Sequence, residues 1–275
     1  MSVSRTEINK RLHDEIYKGR IILGAGAGTG ITAKFAEAGG VDIIIIYNSG
    51  KFRMAGLGSL SGLMPYGDAN KIVVEMGQEV LPIVKNTPVI AGVCGTDPFR
   101  IMDVFLKDLK KQGFSGIQNF PTVGLIDGNL RANLEETNMG FNLEVDMIRS
   151  AHEIDMFTCP YVFSATEARA MAKAGADMLV AHMGLTTSGS IGAKTALTLD
   201  GCVEKVQQIA DAGKEINPDI LVICHGGSIA KVDNVAYILK NTTGVHGFFG
   251  ASSIERLATE KGITEQTQSF KNIQV

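Results

Sequence analysis

Tryptophan is absent from this chain, and aromatic residues make up only 6% of it. A surface that stacks bases needs aromatic faces, so the scarcity argues against nucleic acid as a partner. Charge of one sign is not in excess either. Lys and Arg number 26 against 29 Asp and Glu, a formal net charge of −3. Such a balance supplies no attractive field for nucleic acid or an anionic membrane. Long apolar runs are missing too, and Ile43-Ile44-Ile45-Ile46 is far too short to span a bilayer. Cysteine is sparse and scattered. Cys94, Cys159, Cys202 and Cys224 form no C-x-x-C pair, which leaves no zinc or disulfide framework and suits reduced thiols in a cytoplasmic protein. Charges run through residues 4–18 with no apolar stretch among them, so no signal peptide is expected.

Glycine is what the chain has in abundance, 32 of 275 residues, without a collagen period or a low-complexity block. Those glycines must serve turns, caps and close approaches. Residues 4–18 read as an amphipathic helix, with Ile8, Leu12 and Ile16 recurring among charges; His13 in it is read as solvated. Beyond it, apolar runs alternate with helical patterns. Strands are expected at 20–23, 42–47, 88–93, 116–120, 156–159, 177–181, 220–224 and 245–249. The joints repeat a signature in which a helix ends at Gly, a small residue or Asp follows, and an apolar run begins, as in Gly39-Gly40-Val41-Asp42 and Gly175-Ala176-Asp177. Glycine supplies the left-handed cap, and the run is a strand covered on both faces. Long segments follow strands two, four and six only. Pro98 is expected to start the helix that closes at Gly113, and Glu135 and Glu136 to start another. The length is close to the roughly 250 residues of one complete barrel. The expected fold is therefore α/β, a single (β/α)8 TIM barrel over 20–275 with an extra N-terminal helix over 1–18, in one domain spanning 1–275.

The chemistry converges on the strand ends. Val222-Ile223-Cys224-His225-Gly226-Gly227-Ser228 and Gly247-Phe248-Phe249-Gly250-Ala251-Ser252-Ser253 are apolar runs that stop at Gly/Ser turns before a helix. Consecutive turns of this kind form phosphate or carboxylate cradles at barrel mouths, with Ser252 or Ser253 capping the last helix. Asn48, Ser49 and Gly50 end strand two, Cys94 and Asp97 follow strand three, and Asn119 lies in strand four. His182 ends strand six and His225 ends strand seven. Neighbouring strands lie ~4.8 Å apart, so the two imidazoles should be adjacent, which suits acid–base work. His246 sits at the start of strand eight, away from the mouth, and reads as structural. Asp97 can hold Mg2+ or form the turn before Pro98, and both readings stay open. Cys94 reads as packing before nucleophile; Met171, Met178 and Met183 read as core. Lys51, Arg53 and Arg131 could meet an anionic substrate. No nucleotide cofactor is expected. Gly24-Ala25-Gly26 lacks the third glycine of a dinucleotide loop, and strand two ends in Asn48 rather than an acidic residue.

Several of these stretches carry a resemblance. Asn119-Phe-Pro-Thr-Val-Gly-Leu-Ile-Asp-Gly128, Ala181-His-Met-Gly-Leu-Thr-Thr187, Cys224-His-Gly-Gly227 and Gly250-Ala-Ser-Ser-Ile-Glu-Arg256 resemble the phosphoenolpyruvate hydrolase-like family of TIM-barrel proteins. Tyr47-Asn-Ser-Gly50, Pro65-Tyr-Gly-Asp-Ala-Asn70 and Gly95-Thr-Asp-Pro-Phe99 do the same, and the resemblance covers nearly the whole chain. Similar domains occur in proteins read as signal-transduction modules and in plant virus-resistance proteins. The family is similar in fold to the isocitrate lyase/phosphoenolpyruvate mutase superfamily. That likeness implies an α-keto or enol acid substrate, Mg2+, an oxyanion contact at Ser49-Gly50, a gating loop at 121–138 and a homo-oligomer. The Lys-Lys-Cys-Gly-His gating sequence is absent, and of the acidic metal ligands after strand three only Asp97 stands. The implied activity is phosphoester hydrolysis or C–C cleavage next to a carbonyl, on a small anionic metabolite. Acid–base roles fall to His182, His225 and Asp97. Substrate contacts fall to Asn48, Ser49, Gly50, Asn119, Gly226, Gly227, Ser228, Gly250, Ser252 and Ser253. The alternative is a non-catalytic domain that senses such a metabolite.

Overall fold

The apolar runs become strands because each is buried on both faces, where an unpaired backbone would be costly. In the computed structural model, which describes residues 2–274, nine strands form one sheet. They are β1 (Ile22–Gly26), β2 (Ile43–Ile46), β3 (Val89–Val93), β4 (Gly116–Asn119), β5 (Phe157–Thr158), β6 (Tyr161–Val162), β7 (Met178–His182), β8 (Leu221–His225) and β9 (Gly247–Gly250). All pairings are parallel, in the order β5-β4-β3-β2-β1-β9-β8-β7-β6. The two ends of that order are pieces of one stretch, 157–162, so the sheet curls until both edges meet in the same segment.

Eleven helices are present among the described residues: α1 (Arg5–Tyr17), α2 (Gly30–Ala38), α3 (Asn48–Met54), α4 (Ala69–Val80), α5 (Met102–Gln112), α6 (Gly128–Glu136), α7 (Asn142–Glu153), α8 (Ala165–Lys173), α9 (Leu199–Ile216), α10 (Val232–Lys240) and α11 (Arg256–Lys271). Short 3-10 turns cover Ser59–Leu63 and Val123–Leu125. α1 spends its apolar face on the molecule itself. Ile8 and Leu12 are buried, and Arg5 Nε donates to Asp177 Oδ1 over 2.8 Å. No helix among the described residues is long and apolar enough to cross a membrane.

Several expectations shift. β1 extends through Gly24 and Gly26, which are strand rather than loop. A Cβ at Gly24 would meet Phe249 Cδ2 at 2.9 Å, so the missing side chains let β1 lie against its neighbours. The expected fifth strand, 156–159, is present as β5, and a second piece, β6, follows beyond its expected end; the two are parted at Pro160, which has no N–H to give the ladder. Pro98 does not open a helix. Asp97 Oδ1 accepts from Phe99 N–H at 2.9 Å, a local turn, and α5 begins at Met102. Its end is as expected, with Gly113 in the left-handed region at φ 111°. The long segments after strands two and four contain α3 and α6, and Glu135 and Glu136 end α6 rather than start a helix. Ser252 and Ser253 do not cap the last helix, which opens at Arg256 after Glu255 without a side-chain cap.

Candidate active site

His182 and His225 are the last residues of β7 and β8 and stand opposite each other in register. Their rings meet edge to face with centroids 4.6 Å apart. Both are buried, and burial is the main reason their pKa values fall; His225 drops to about 4, and His182 goes well below the ordinary imidazole range. Both are therefore neutral at neutral pH, and their hydrogen bonds fix opposite tautomers. His225 Nδ1 lies 2.7 Å from the Phe249 carbonyl, which can only accept, so Nδ1 carries the proton and Nε2 is bare. His182 Nδ1 accepts from Gly184 N–H at 2.9 Å, so its proton is on Nε2. One imidazole offers a lone pair and its neighbour offers a donor.

Aromatic rings hold the pair in place. The Tyr161 ring centroid lies 4.7 Å from that of His182 and 5.2 Å from that of His225. The Tyr161 hydroxyl meets the Tyr47 hydroxyl at 3.3 Å, and burial keeps Tyr161 protonated. These groups line a cavity of about 30 Å³. Its lining includes Leu60, Leu125 and Leu185, one from each of the three long segments the sequence placed after strands two, four and six. A space of that size holds about one water and no metabolite. No Lys or Arg lines it.

The other candidate residues are placed nearby, and several of their polar groups are already engaged. Ser49 Oγ donates to the Ser59 carbonyl over 2.6 Å, and Asn48 Nδ2 to the Gly62 carbonyl over 2.8 Å. Gly50 N–H closes a turn onto Tyr47. Asn119 gives Nδ2 to Glu144 and the Tyr161 carbonyl and accepts from Tyr161 N–H, so it stitches β4 to β6. Gly226 and Gly227 have φ of 78° and 59°, and Gly227 N–H is used on the Gly184 carbonyl. Ser228 Oγ donates to the Leu197 carbonyl. Gly250 ends β9, and of the two serines only Ser252 reaches the cavity. The expected anion cradle is thus not laid open. Both Gly/Ser turns pass through intervening residues before α10 and α11 begin, and part of their polar backbone is already bonded.

Asp97 does not fit a resident divalent cation. Its oxygens accept from Asn70 Nδ2 at 2.9 Å, Arg100 Nε at 3.2 Å and Phe99 N–H. Among the described residues no group of three or more His, Cys, Asp or Glu is arranged to hold a metal. Asp97 serves a turn and an ion pair, and it stands beside a different cavity from the imidazoles. Arg131 is tied to Glu135, Glu167 and the Val123 carbonyl. Lys51 pairs with Glu75 on the surface. His246 Nδ1 accepts from Val222 N–H at the opposite strand ends, a structural contact.

The profile of the phosphoenolpyruvate hydrolase-like family matches residues 7–273. The chain belongs to this family. This phosphoenolpyruvate hydrolase-like chain is 64% identical over 269 residues to two tomato (Solanum lycopersicum) proteins, the ToMV susceptible protein tm-1(GCR26) and the ToMV resistance protein Tm-1(GCR237). The match takes in 98% of this chain and 36% of each relative, so the chain spans about a third of their length. Its fold is shared with 2,3-dimethylmalate lyase, a PEP mutase/isocitrate lyase superfamily member, at TM-score 0.63 and 14% identity over 98% of this chain and 85% of the other. Phosphonopyruvate hydrolase, solved with oxalate and Mg2+, gives TM-score 0.62 and 15% identity over 98% and 87%.

Two features of the phosphoenolpyruvate hydrolase-like site escaped the sequence. Glu144 on α7 is fully buried beneath it and accepts from Asn119 Nδ2 (2.6 Å), Thr122 Oγ1 (2.7 Å) and Val123 N–H (2.7 Å). Burial outweighs those donors and pushes its pKa up to about 7. Arg53 and Glu255 form an ion pair at 3.1 Å with side chains 1% exposed. Glu255 also accepts from Gly28 N–H and Thr32 Oγ1. Arg53 lies over the Tyr47 ring, 5.3 Å from its centroid, and so backs the wall of aromatic rings.

Proposed function

We propose that this chain is an enzyme that performs acid–base chemistry beside the carbonyl of a small anionic keto or enol acid. The opposed tautomers of His182 and His225 carry this reading. In a C–C cleavage, His225 Nε2 takes the proton of a hydroxyl two carbons from the carbonyl carbon. The alkoxide electrons form a new carbonyl, the C–C bond breaks, and its electron pair passes into an enolate. The enolate oxygen is stabilised by the His182 Nε2–H, a donor in a water-poor site. Phosphoester hydrolysis, the other implied reaction, is less well supported, since no cation lines the cavity to meet a phosphate. Mg2+ bound in phosphonopyruvate hydrolase makes the metal worth testing, but the donors here favour a route through side chains alone. The same reading takes the sheet as a closed (β/α)8 barrel in one cytoplasmic domain, its fifth strand broken at Pro160 and α1 added outside it. It also takes the protein as self-associating, through the exposed Ile263 and Phe270 of α11.

The test is steady-state turnover on wild type and His225→Ala, with and without Mg2+. One arm follows pyruvate and phosphate released from phosphoenolpyruvate; the other follows exchange of pyruvate methyl protons for solvent deuterium by NMR. Saturable exchange that disappears in His225→Ala supports the reading. Equal rates in the two proteins would sink it. A second reading, a metabolite-sensing domain, draws on the small volume beside the imidazoles. It predicts tight binding by calorimetry with no turnover of any acid tried.

A further inference from the structure

A second cavity, of about 530 Å³, adjoins the histidine cavity. The two share their walls, which are the 3-10 turn Ser59–Leu63 and the segment 120–126. Ser59 and Leu60 face the imidazoles, while Gly62 and Leu63 face the larger space. The larger cavity falls in the range of metabolite and cofactor pockets, roughly 300–1,000 Å³. Its charged groups are spent. Arg100 pairs with Asp68 at 2.7 Å and with Asp97 at 3.2 Å, and no Lys or Arg lines it. What remains is apolar, and much of it is uncovered: Phe99 is 96% exposed, Met64 49% and Met139 47%. Apolar side chains left in water around a concave surface mark a ligand site.

The shared wall bears a second, independent sign. Asn48 is buried, yet its Oδ1 has no hydrogen-bond partner among the described residues. It abuts Gly62, where a Cβ would stand 2.9 Å from that oxygen and 2.1 Å from Ser49 Oγ. Asn48 Nδ2 and Ser49 Oγ meanwhile donate to the carbonyls of Gly62 and Ser59. Peptide oxygens of the turn thus occupy donors that the oxygens of an acid could take, and the bare Asn48 Oδ1 beside them is an acceptor that the O–H of a substrate's enol form would satisfy. If the turn withdraws, the two cavities join.

We propose that the larger cavity receives an apolar substituent of the substrate, whose acid head displaces the 59–63 turn and reaches the imidazoles. The substrate class is then a medium-chain or branched apolar keto acid rather than a three-carbon acid. The placement of the head rests on the acid–base reading above; the placement of the tail stands on the cavity. Calorimetric binding of pyruvate, 2-oxobutyrate, 2-oxohexanoate and 2-oxooctanoate tests it. Affinity should rise about fourfold per added methylene. Leu63→Trp fills the cavity from the wall and Met139→Trp from the exposed rim, so one variant serves if the other fails to fold. With either, 2-oxooctanoate should bind no tighter than pyruvate. Equal affinity along the series, or a gain that survives both tryptophans, overturns the tail site. His225→Gln should weaken every member of the series. If it weakens none, the head is misplaced and the proposal falls. If the series keeps its chain-length dependence while no acid is turned over, the tail site stands and the catalytic reading fails.

Discussion

Replacing Glu144 by Gln gives the sharpest physical test of the buried network below the site. Burial raises this carboxyl from its ordinary value near 4.5 to about 7. A group whose pKa is higher in the folded chain than in the unfolded one binds its proton more tightly when folded. The stability it contributes is fully present below about pH 4.5 and is lost as pH rises to about 7. Three other groups run the opposite way. Burial holds His182, His225 and His246 neutral, so their contribution is lost as pH falls below their ordinary range. The raw stability profile therefore mixes both slopes. The difference between wild type and Glu144→Gln removes the histidines and leaves the carboxyl. From pH 5.5 to about 7 the change is 1.5 pH units at ~1.36 kcal/mol each, so wild type should lose about 2 kcal/mol relative to the variant. A constant offset is also expected, since the new amide meets the donors of Asn119, Thr122 and Val123; it should cost about 1–3 kcal/mol at every pH. Urea denaturation of both proteins at half-unit steps from pH 5.5 to 7.5 measures the difference. A flat difference would refute the argument, because it would mean the three donors keep the buried carboxylate ionised.

The remaining expectations concern the site and its supports. His225 is held down to about 4, so its base form persists in mild acid and kcat/KM should fall only as pH drops through about 4; an inflection near 6.5 in the pH–rate profile would contradict the tautomer argument. Arg53→Met strands Glu255 in a nearly dry setting and should cost about 3–5 kcal/mol in urea unfolding, with part recovered by adding Glu255→Gln; a loss within error would show that the pair is solvated. Gly226→Ala forces a side chain to φ 78° with its Cβ 2.2 Å from the Gly184 carbonyl, so a loss of about 1–3 kcal/mol is expected, and an unchanged Tm would speak against this backbone.

The alternation of strands and helices was readable because period and punctuation agreed at almost every joint, as at Gly113, whose left-handed cap ends α5. The adjacency of His182 and His225 was readable for the same reason. Both close an apolar run, and parallel pairing sets such ends side by side. What could not be read is who uses each polar group first. Asn48 and Ser49 look like free strand-end ligands until a segment 10 to 14 residues on folds back over them. Asp97 looks like a metal ligand until Arg100 and Phe99 N–H claim its oxygens. Arg53 and Glu255 lie 202 residues apart, and no local pattern joins them. Glu144 did leave a signal. It sits three residues before Met147 and four before Ile148, on the face that α7 buries, where a carboxylate must have donors. Pro160 left one too, for a strand interior cannot spare an N–H.

The break at Pro160 has a mechanical consequence. Neighbouring strands elsewhere are laced by backbone ladders, with a side-chain bond added at Asp42 and at His246, and where the two edges meet the lacing rests on two side-chain amides. Gln118 Nε2 donates to the Cys159 carbonyl over 3.1 Å, and the Asn119 amide clasps both the N–H and the carbonyl of Tyr161. A ladder has no adjustable parts, whereas an amide clasp can be loaded from behind. Glu144 loads this one, and the ring of Tyr161 leans on both imidazoles. A proton gained or lost on that hidden carboxyl is thus three contacts from the imidazoles, through Asn119 and Tyr161, and the place where the sheet is least regular is also where the paired histidines would feel the state of the core.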